Sequence, residues 1–254
     1  MNLFVVSDLH IDRSTDPLLS GLIAFLTERV KPGDCVVFAG DVFDVFIGNK
    51  KIFRDRYRGF IELVVSLADR GADVHYIEGN HDFQLKKLFG RLKGVTHHAS
   101  EVEIQCGQKR VYIAHGDLVN SKDYGYRILR GVLRSVPLRA MIRQAPGKIV
   151  DGIGQWMSGQ SKASHRQPQG LPRLSEGHLE QLRKCYRSFA ALKINQGFDF
   201  VILGHCHDRD EMKFKVGDRL GHYMNVGYPR VHQSLVFWTP ERPDELQREH
   251  FFKE

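Results

Sequence analysis

The chain has 254 residues, 42% hydrophobic and 26% charged. That length fits one large domain or one domain with an insert, and the composition excludes wholesale disorder and a collagen-like fibre. The net charge of +7 is concentrated, because residues 120–197 hold 14 of the 37 Lys and Arg but 4 of the 30 Asp and Glu, so an anionic partner is expected for that block.

Residues 3–7 (LFVVS) read as a short apolar strand that stops at Asp8. Leu18, Leu19, Leu22, Ile23, Leu26 and Val30 predict a helix over 18–30, ended by Pro32-Gly33. A buried strand at 35–39 stops at Gly40-Asp41. Ile52, Phe60, Leu63, Val64 and Leu67 predict one helix over about 51–70, with Gly71 as its C-cap. A third strand, 74–77, stops at Gly79-Asn80-His81-Asp82. This alternation predicts an α/β fold with a parallel core. Residues 101–105 and 110–114 read as a hairpin around Gly107 that runs into His115-Gly116-Asp117.

The stretch from His115 to His205 is too long for a simple connection. Ile128, Leu129, Val132, Leu133 and Val136 recur at helical spacing, with Arg127, Arg130 and Arg134 on another side. Residues 158–177 are rich in Gly, Ser, Gln and Pro and read as a loop, followed by a helix over about 175–196. The domain reading is a core of 1–119 and 198–254 with a basic helical cap, 120–197, inserted over the sheet. Residues 200–203 form a strand running into Gly204-His205-Cys206-His207. The segments 212–216, 222–226, 233–238 and 246–251 read as a β-meander, and both Trp156 and Trp238 are expected in the core.

Five strand ends share one chemistry: Asp8-x-His10, Gly40-Asp41-x-x-Asp44, Gly79-Asn80-His81-Asp82, His115-Gly116-Asp117 and Gly204-His205-x-His207. In an open α/β sheet the carboxyl ends of the strands line the ligand crevice, so these distant residues can meet. Each piece alone is a common polar turn. Together they offer carboxylates, an amide oxygen and imidazoles, a donor set suited to Mn2+, Fe2+ or Zn2+ and larger than one ion needs.

This ordered set resembles the calcineurin-like metallophosphoesterase superfamily. The resemblance implies two mixed β-sheets packed as a sandwich and flanked by helices, and two divalent metal ions. It implies that Asp8, His10 and His207 hold one ion, that Asn80, His115 and His205 hold the other, and that Asp41 bridges them. His81 matches the residue that protonates the leaving oxygen or stabilises the transition state. Asp44 and Asp82 are expected behind the ligands, orienting histidines.

The inserted cap resembles the lid of the UDP-2,3-diacylglucosamine pyrophosphatases of lipid A synthesis. That resemblance implies cleavage of an acylated nucleotide sugar, with Mn2+ as the first choice of ion, and substrate contacts at Asn80, His81, Asp123, Tyr126, Ser161 and Lys162. The best-known members carry Arg where this chain has His81; the His form is the general superfamily pattern. The alternative is a soluble metallophosphatase or phosphodiesterase acting on nucleotides or small phosphoesters.

A basic amphipathic cap also suits an anionic membrane surface. Four cysteines (35, 106, 185, 206) without paired spacing point to a reducing cytosol. No signal peptide is expected, and no window approaches ~18 consecutive apolar residues. The expected location is cytoplasmic, peripheral on the inner face of the inner membrane. No nucleic-acid partner is expected, since no zinc finger or aromatic stacking motif accompanies the basic block. Oligomeric state is not readable.

Overall fold

The computed structural model describes residues 1–165, 176–217 and 219–252, with the side chains of 160–165 outside that description. In chain order the first half runs β1 (Leu3–Val6), α1 (Pro17–Arg29), β2 (Cys35–Ala39), β3 (Phe46–Ile47), α2 (Lys51–Arg56), α3 (Arg58–Asp69), β4 (Asp73–Ile77), β5 (Asp82–Phe83), β6 (Val95–His98), β7 (Glu101–Cys106) and β8 (Lys109–Ala114). Four helices follow: α4 (Tyr124–Leu133), α5 (Val136–Gln144), α6 (Gly147–His165) and α7 (Glu176–Asn195). The chain ends with β9 (Phe200–Leu203), β10 (Glu211–Val216), β11 (Arg219–Asn225), α8 (Pro229–His232), β12 (Ser234–Trp238) and β13 (Gln247–His250).

Two sheets form a sandwich. The first has the order β13-β12-β1-β2-β4-β6, with β1, β2, β4 and β6 parallel. The second has the order β10-β11-β9-β8-β7, with β8, β9 and β11 parallel. Alternation along each strand assigns the layers, because successive side chains point to opposite faces. Leu3 and Val5 of β1, Val37 of β2, Ile113 of β8 and Ile202 of β9 meet between the sheets. Phe4, Val6, Val36 and Phe38 point the other way, into a layer with α1 and α3. Tyr112, Val201 and Leu203 face Tyr186, Ala190 and Ile194 of α7. Each large side chain so buried contributes about 1.5–3 kcal/mol relative to exposure, which makes the strands a firm base for the loops at their ends.

Four expectations change. The single helix over 51–70 is two, broken at Tyr57, whose φ is −109° and ψ 26°. Tyr57 is fully buried, its ring 4.2 Å from that of Phe43, so packing fixes the bend there. The C-terminal meander is two antiparallel hairpins in different sheets: β10–β11 in the second and β12–β13 in the first, with 226–233 crossing between them. The expected loop over 158–177 is helical in its first part, because α6 runs to His165 with no proline inside it; residues 166–175 lie outside the described residues. Trp238 is buried, but Trp156 is 66% exposed on α6. Within the expected cap segment, α7 flanks the second sheet, whereas α4–α6 lie over the strand ends.

Candidate metal centre

The ends of β1, β2, β4, β8 and β9 converge in loops of unusual backbone. Asp8, His10, Asp41, His205 and His207 have φ of 57°, 47°, 51°, 70° and 56°. Such left-handed conformations cost roughly 1–3 kcal/mol each outside glycine and persist only where surroundings impose them. The surroundings are visible. Both carboxylate oxygens of Asp8 accept from His205 N–H (3.0 and 2.9 Å), and Ser7 Oγ is 2.6 Å from Asp8 Oδ2. Asn225 Nδ2 donates to the Gly204 carbonyl (2.9 Å), Tyr186 OH to the Gly116 carbonyl (3.0 Å) and Arg230 to the His10 carbonyl (2.6 Å). Tyr228 stacks on His207 at 4.5 Å. Gly40 has φ 83°, and a Cβ there would stand 2.8 Å from Gly79 Cα and from the His115 ring. Only glycine lets those two loops close on each other.

The side chains form two adjoining groups. Asp8, His10 and His207 point one ligand atom each to a common space, and so do Asp41, His115 and His205. His10 Nε2 is 3.1 Å from His207 Nε2, and His207 Nε2 is 3.4 Å from Asp8 Oδ1. Asn80 Oδ1 joins the second group, 3.0 Å from His115 Nε2. Asp41 lies between them: its Oδ2 is 3.4 Å from His115 Nε2 and 3.8 Å from His10 Nε2.

The donor chemistry fits cations. His115 Nδ1–H points to the Ala39 carbonyl at 3.1 Å, so Nε2 is the nitrogen that can exchange its proton for a cation. Asn80 Oδ1, His205 Nδ1 (3.3 Å) and Asp41 Oδ2 gather round that nitrogen. A cation bound there would take the place of the Nε2 proton. Burial would raise the Asp41 pKa, but the charges of His115, His81 and His10 hold it well below the usual carboxylate range. Burial, with the charge on His115, drives His205 down to about 4. Burial also opposes charge on His115, yet Asp41 beside it lifts that imidazole to about 10. The neighbourhood thus favours an ionised Asp41 beside a charged His115 and a neutral His205.

Residues 1–209 match the family model of the calcineurin-like phosphoesterases. The chain belongs to that family. It is similar to a UDP-2,3-diacylglucosamine hydrolase of Aeromonas salmonicida (strain A449), 30% identical over 168 residues, or 66% of this chain and 65% of the relative, just under two thirds of its length. The relative of the same name from Enterobacter sp. (strain 638) is 24% identical over 95% of this chain and 97% of its own. Among solved structures, the phosphoesterase Yfce from E. coli aligns at TM-score 0.43 and 14% identity, covering 94% of this chain and 89% of that one. The chain is a metal-dependent phosphoester hydrolase, and divalent ions belong to its chemistry.

In this phosphoesterase the cluster floors a cavity of about 580 Å³. Its lining is partly apolar, with Val45, Ile47 and Phe83 beside Leu129 and Leu133 of α4 and Met157 of α6. Two arginines tie α4 and the residue after it to the strand-end loops. Arg130 Nε donates to Asp117 Oδ2 (2.7 Å), which also accepts from Tyr126 OH (2.5 Å). Arg134 donates to Glu78 Oε2 (2.6 Å) and to the Gly79 carbonyl (2.8 Å), one residue before Asn80. Glu78 and Arg134 are largely buried, so removing one partner strands the other. Arg134→Met is expected to cost about 3 kcal/mol of stability, measured by urea unfolding; a loss under half that would show that His97, 2.9 Å from Glu78 Oε1, suffices as its partner.

The other site expectations fare differently. Asp44 faces His10, its Oδ1 3.8 Å from Nδ1. Asp82 orients no histidine by a hydrogen bond among the described residues. It accepts instead from the N–H groups of Asp41 (3.0 Å), Val42 (2.8 Å) and Gly79 (2.8 Å) and from Tyr76 OH (2.7 Å), so it fixes the backbone that carries Asp41. Burial and then the Asp41 charge push its pKa up to about 7. Asp123 borders the cavity and caps α4 by accepting from Tyr126 N–H (3.0 Å). The Ser161 and Lys162 side chains lie outside the described residues. Ser7, Asn225, Tyr228 and Arg230 were missed, because nothing local marks a residue whose partner is a distant backbone carbonyl or ring.

Proposed function

We propose that this phosphoesterase hydrolyses the pyrophosphate bond of UDP-2,3-diacylglucosamine to UMP and 2,3-diacylglucosamine 1-phosphate. The observation that carries this reading is the cavity itself, lined by the cation-ready cluster, by Arg130 and Arg134 and by apolar side chains. Phosphates suit the polar end and an acyl chain the other. The relatives' names support the same substrate.

In this reading Asp8, His10 and His207 hold one ion, Asn80, His115 and His205 hold the other, and Asp41 serves both. The ions are Mn2+, in keeping with oxygen and nitrogen donors and no sulfur, with Fe2+ or Zn2+ as substitutes. When bound, two divalent cations activate water as the nucleophile and neutralise phosphate charge. His81 gives a proton to the departing oxygen, and Asp123 and Tyr126 position the substrate at the cap entrance. Residues 120–197 act as a lid on a core of 1–119 and 198–254.

The lid also meets an anionic bilayer. Ile128, Val132 and Val136 of α4 and α5 are exposed, with Ile149, Ile153 and Trp156 of α6, and Arg127, Arg139 and Lys148 lie in the same helices. Such a face with basic neighbours binds an interface. No helix among the described residues is long and apolar enough to cross a membrane, and the reading places the chain on the cytoplasmic face of the inner membrane.

The test is a substrate panel in detergent micelles. UDP-2,3-diacylglucosamine is expected to exceed UDP-glucose in kcat/KM by more than about 100-fold, since each buried CH2 is worth about 0.8 kcal/mol. Equal rates on p-nitrophenyl phosphate, with no gain from micelles, would assign a small-phosphoester phosphatase instead.

A further inference from the structure

We infer a separate cation site formed by Cys35, Asp73 and His75, at the opposite end of the first sheet from the phosphoesterase centre. Cys35 opens β2 and Ala39 closes it two residues before Asp41, so the length of the strand, roughly 13 Å at about 3.3 Å per residue, separates the two ends. The site therefore shares no ligand with the cluster above.

Strand register builds it. Cys35 of β2 is paired with Asp73 of β4, and His75 lies two residues further along β4, so all three side chains share one face. One ligand atom from each lies within 4.8 Å of the other two. Cys35 and His75 are buried, and Asp73 opens to solvent at the lip of the sandwich.

His75 supplies the observation that points to a ligand. Its Nδ1 is 2.9 Å from His98 Nε2, with the two rings stacked 5.2 Å apart. That contact holds the imidazole by its Nδ1 side. A ligating imidazole is held in this way, by its far nitrogen, with its near lone pair directed at the metal. The near nitrogen, Nε2, is 93% buried with its residue and makes no hydrogen bond, although Asp73 Oδ2 stands 3.0 Å away at an angle that forms none. A buried core thiol alone is commonplace. An unbonded imidazole nitrogen beside that thiol and a carboxylate is not.

One sulfur, one nitrogen and one oxygen select a borderline ion, Zn2+ above all, with water completing four positions on the open side. The Cys35 thiol gives its proton to solvent when the ion binds.

The test is Co2+ titration of the full chain. A thiolate ligand gives a sulfur-to-cobalt charge-transfer band in the near ultraviolet, and the proposed ligands of the phosphoesterase centre include no cysteine. The wild type is expected to show the band and to bind one more cobalt per chain than Cys35→Ser, which lacks it. The band is expected to persist in Asp41→Ala, so the site stands or falls apart from the hydrolase reading. Asp73→Asn, a change at an exposed carboxylate, keeps the result readable if Cys35→Ser fails to fold; it is expected to weaken the cobalt that gives the band at least tenfold. His98→Leu is expected to weaken it about 10–100-fold. No thiolate band at saturating cobalt, or a band untouched by Cys35→Ser, overturns the site.

Discussion

Asp41→Ala is expected to reduce hydrolysis of an activated aryl phosphodiester by at least about 10³-fold and to lower metal content below the wild-type value. The reason is position. Asp41 is the carboxylate that approaches histidines of both groups, His115 at 3.4 Å and His10 at 3.8 Å, and it is 2% exposed. Removing it leaves positive centres facing one another with no counter-charge in a space that water barely reaches. Cations that stabilise transition-state charge contribute several kcal/mol, and each 1.36 kcal/mol is tenfold in rate. Asp41→Asn separates charge from shape. Its amide oxygen can still accept from His81 N–H, which Asp41 Oδ1 does at 2.9 Å, so the loop keeps its form while the charge is gone. Both variants are expected to fail alike in turnover. Near-normal rates in either one would sink the assignment of Asp41 to both ions.

The strand ends that build the cluster were legible because a strand buried on both faces reads as an unbroken apolar run. LFVV, CVVFA and FVIL each end two residues before a polar residue, Asp8, Asp41 or His205, that the chain holds in a left-handed conformation. Helix α1 was legible for the same kind of reason, an apolar stripe through Leu18, Leu19, Leu22 and Leu26 that stops before Pro32-Gly33. What escaped was decided by partners far away in the chain. Tyr57 breaks a good helical pattern only because Phe43 and Phe46 are there to receive its ring. The polar strand β6 pairs with β4 at the edge of a sheet, where nothing demands an apolar run. β11 and β12 look like neighbours in a meander until 226–233 carries the chain to the other sheet. Trp156 was expected inside because indole is large and apolar, yet it lies on the open face of the cap beside Ile149 and Ile153 of the same helix. Asp82 shows the limit most plainly: it was expected to orient a histidine, but four backbone N–H groups and Tyr76 OH claim it first.

His81→Ala is expected to lower kcat by about 10²–10⁴-fold, the range for a group that moves a proton, with metal content unchanged. The geometry separates His81 from the ligands. Its Nδ1–H is committed to the Asp44 carbonyl at 2.8 Å, so the nitrogen free to exchange a proton is Nε2. Its ring stands edge-on to His10 at 4.8 Å and borders the cavity. The rival assignment makes His81 a ligand, because His10, Asp44 and His81 also bring one atom each together. That grouping is the weaker one. His10 directs Nε2 to Asp41 and His207 and keeps Nδ1 toward Asp44, so one imidazole would have to serve ions on both sides. A leaving-group series decides between proton transfer and ligation. If His81 protonates the departing oxygen, the loss in the variant shrinks as the leaving group becomes a better one and nearly vanishes with p-nitrophenol. If His81 holds an ion, the loss is the same for every leaving group, and one equivalent of metal departs with the side chain.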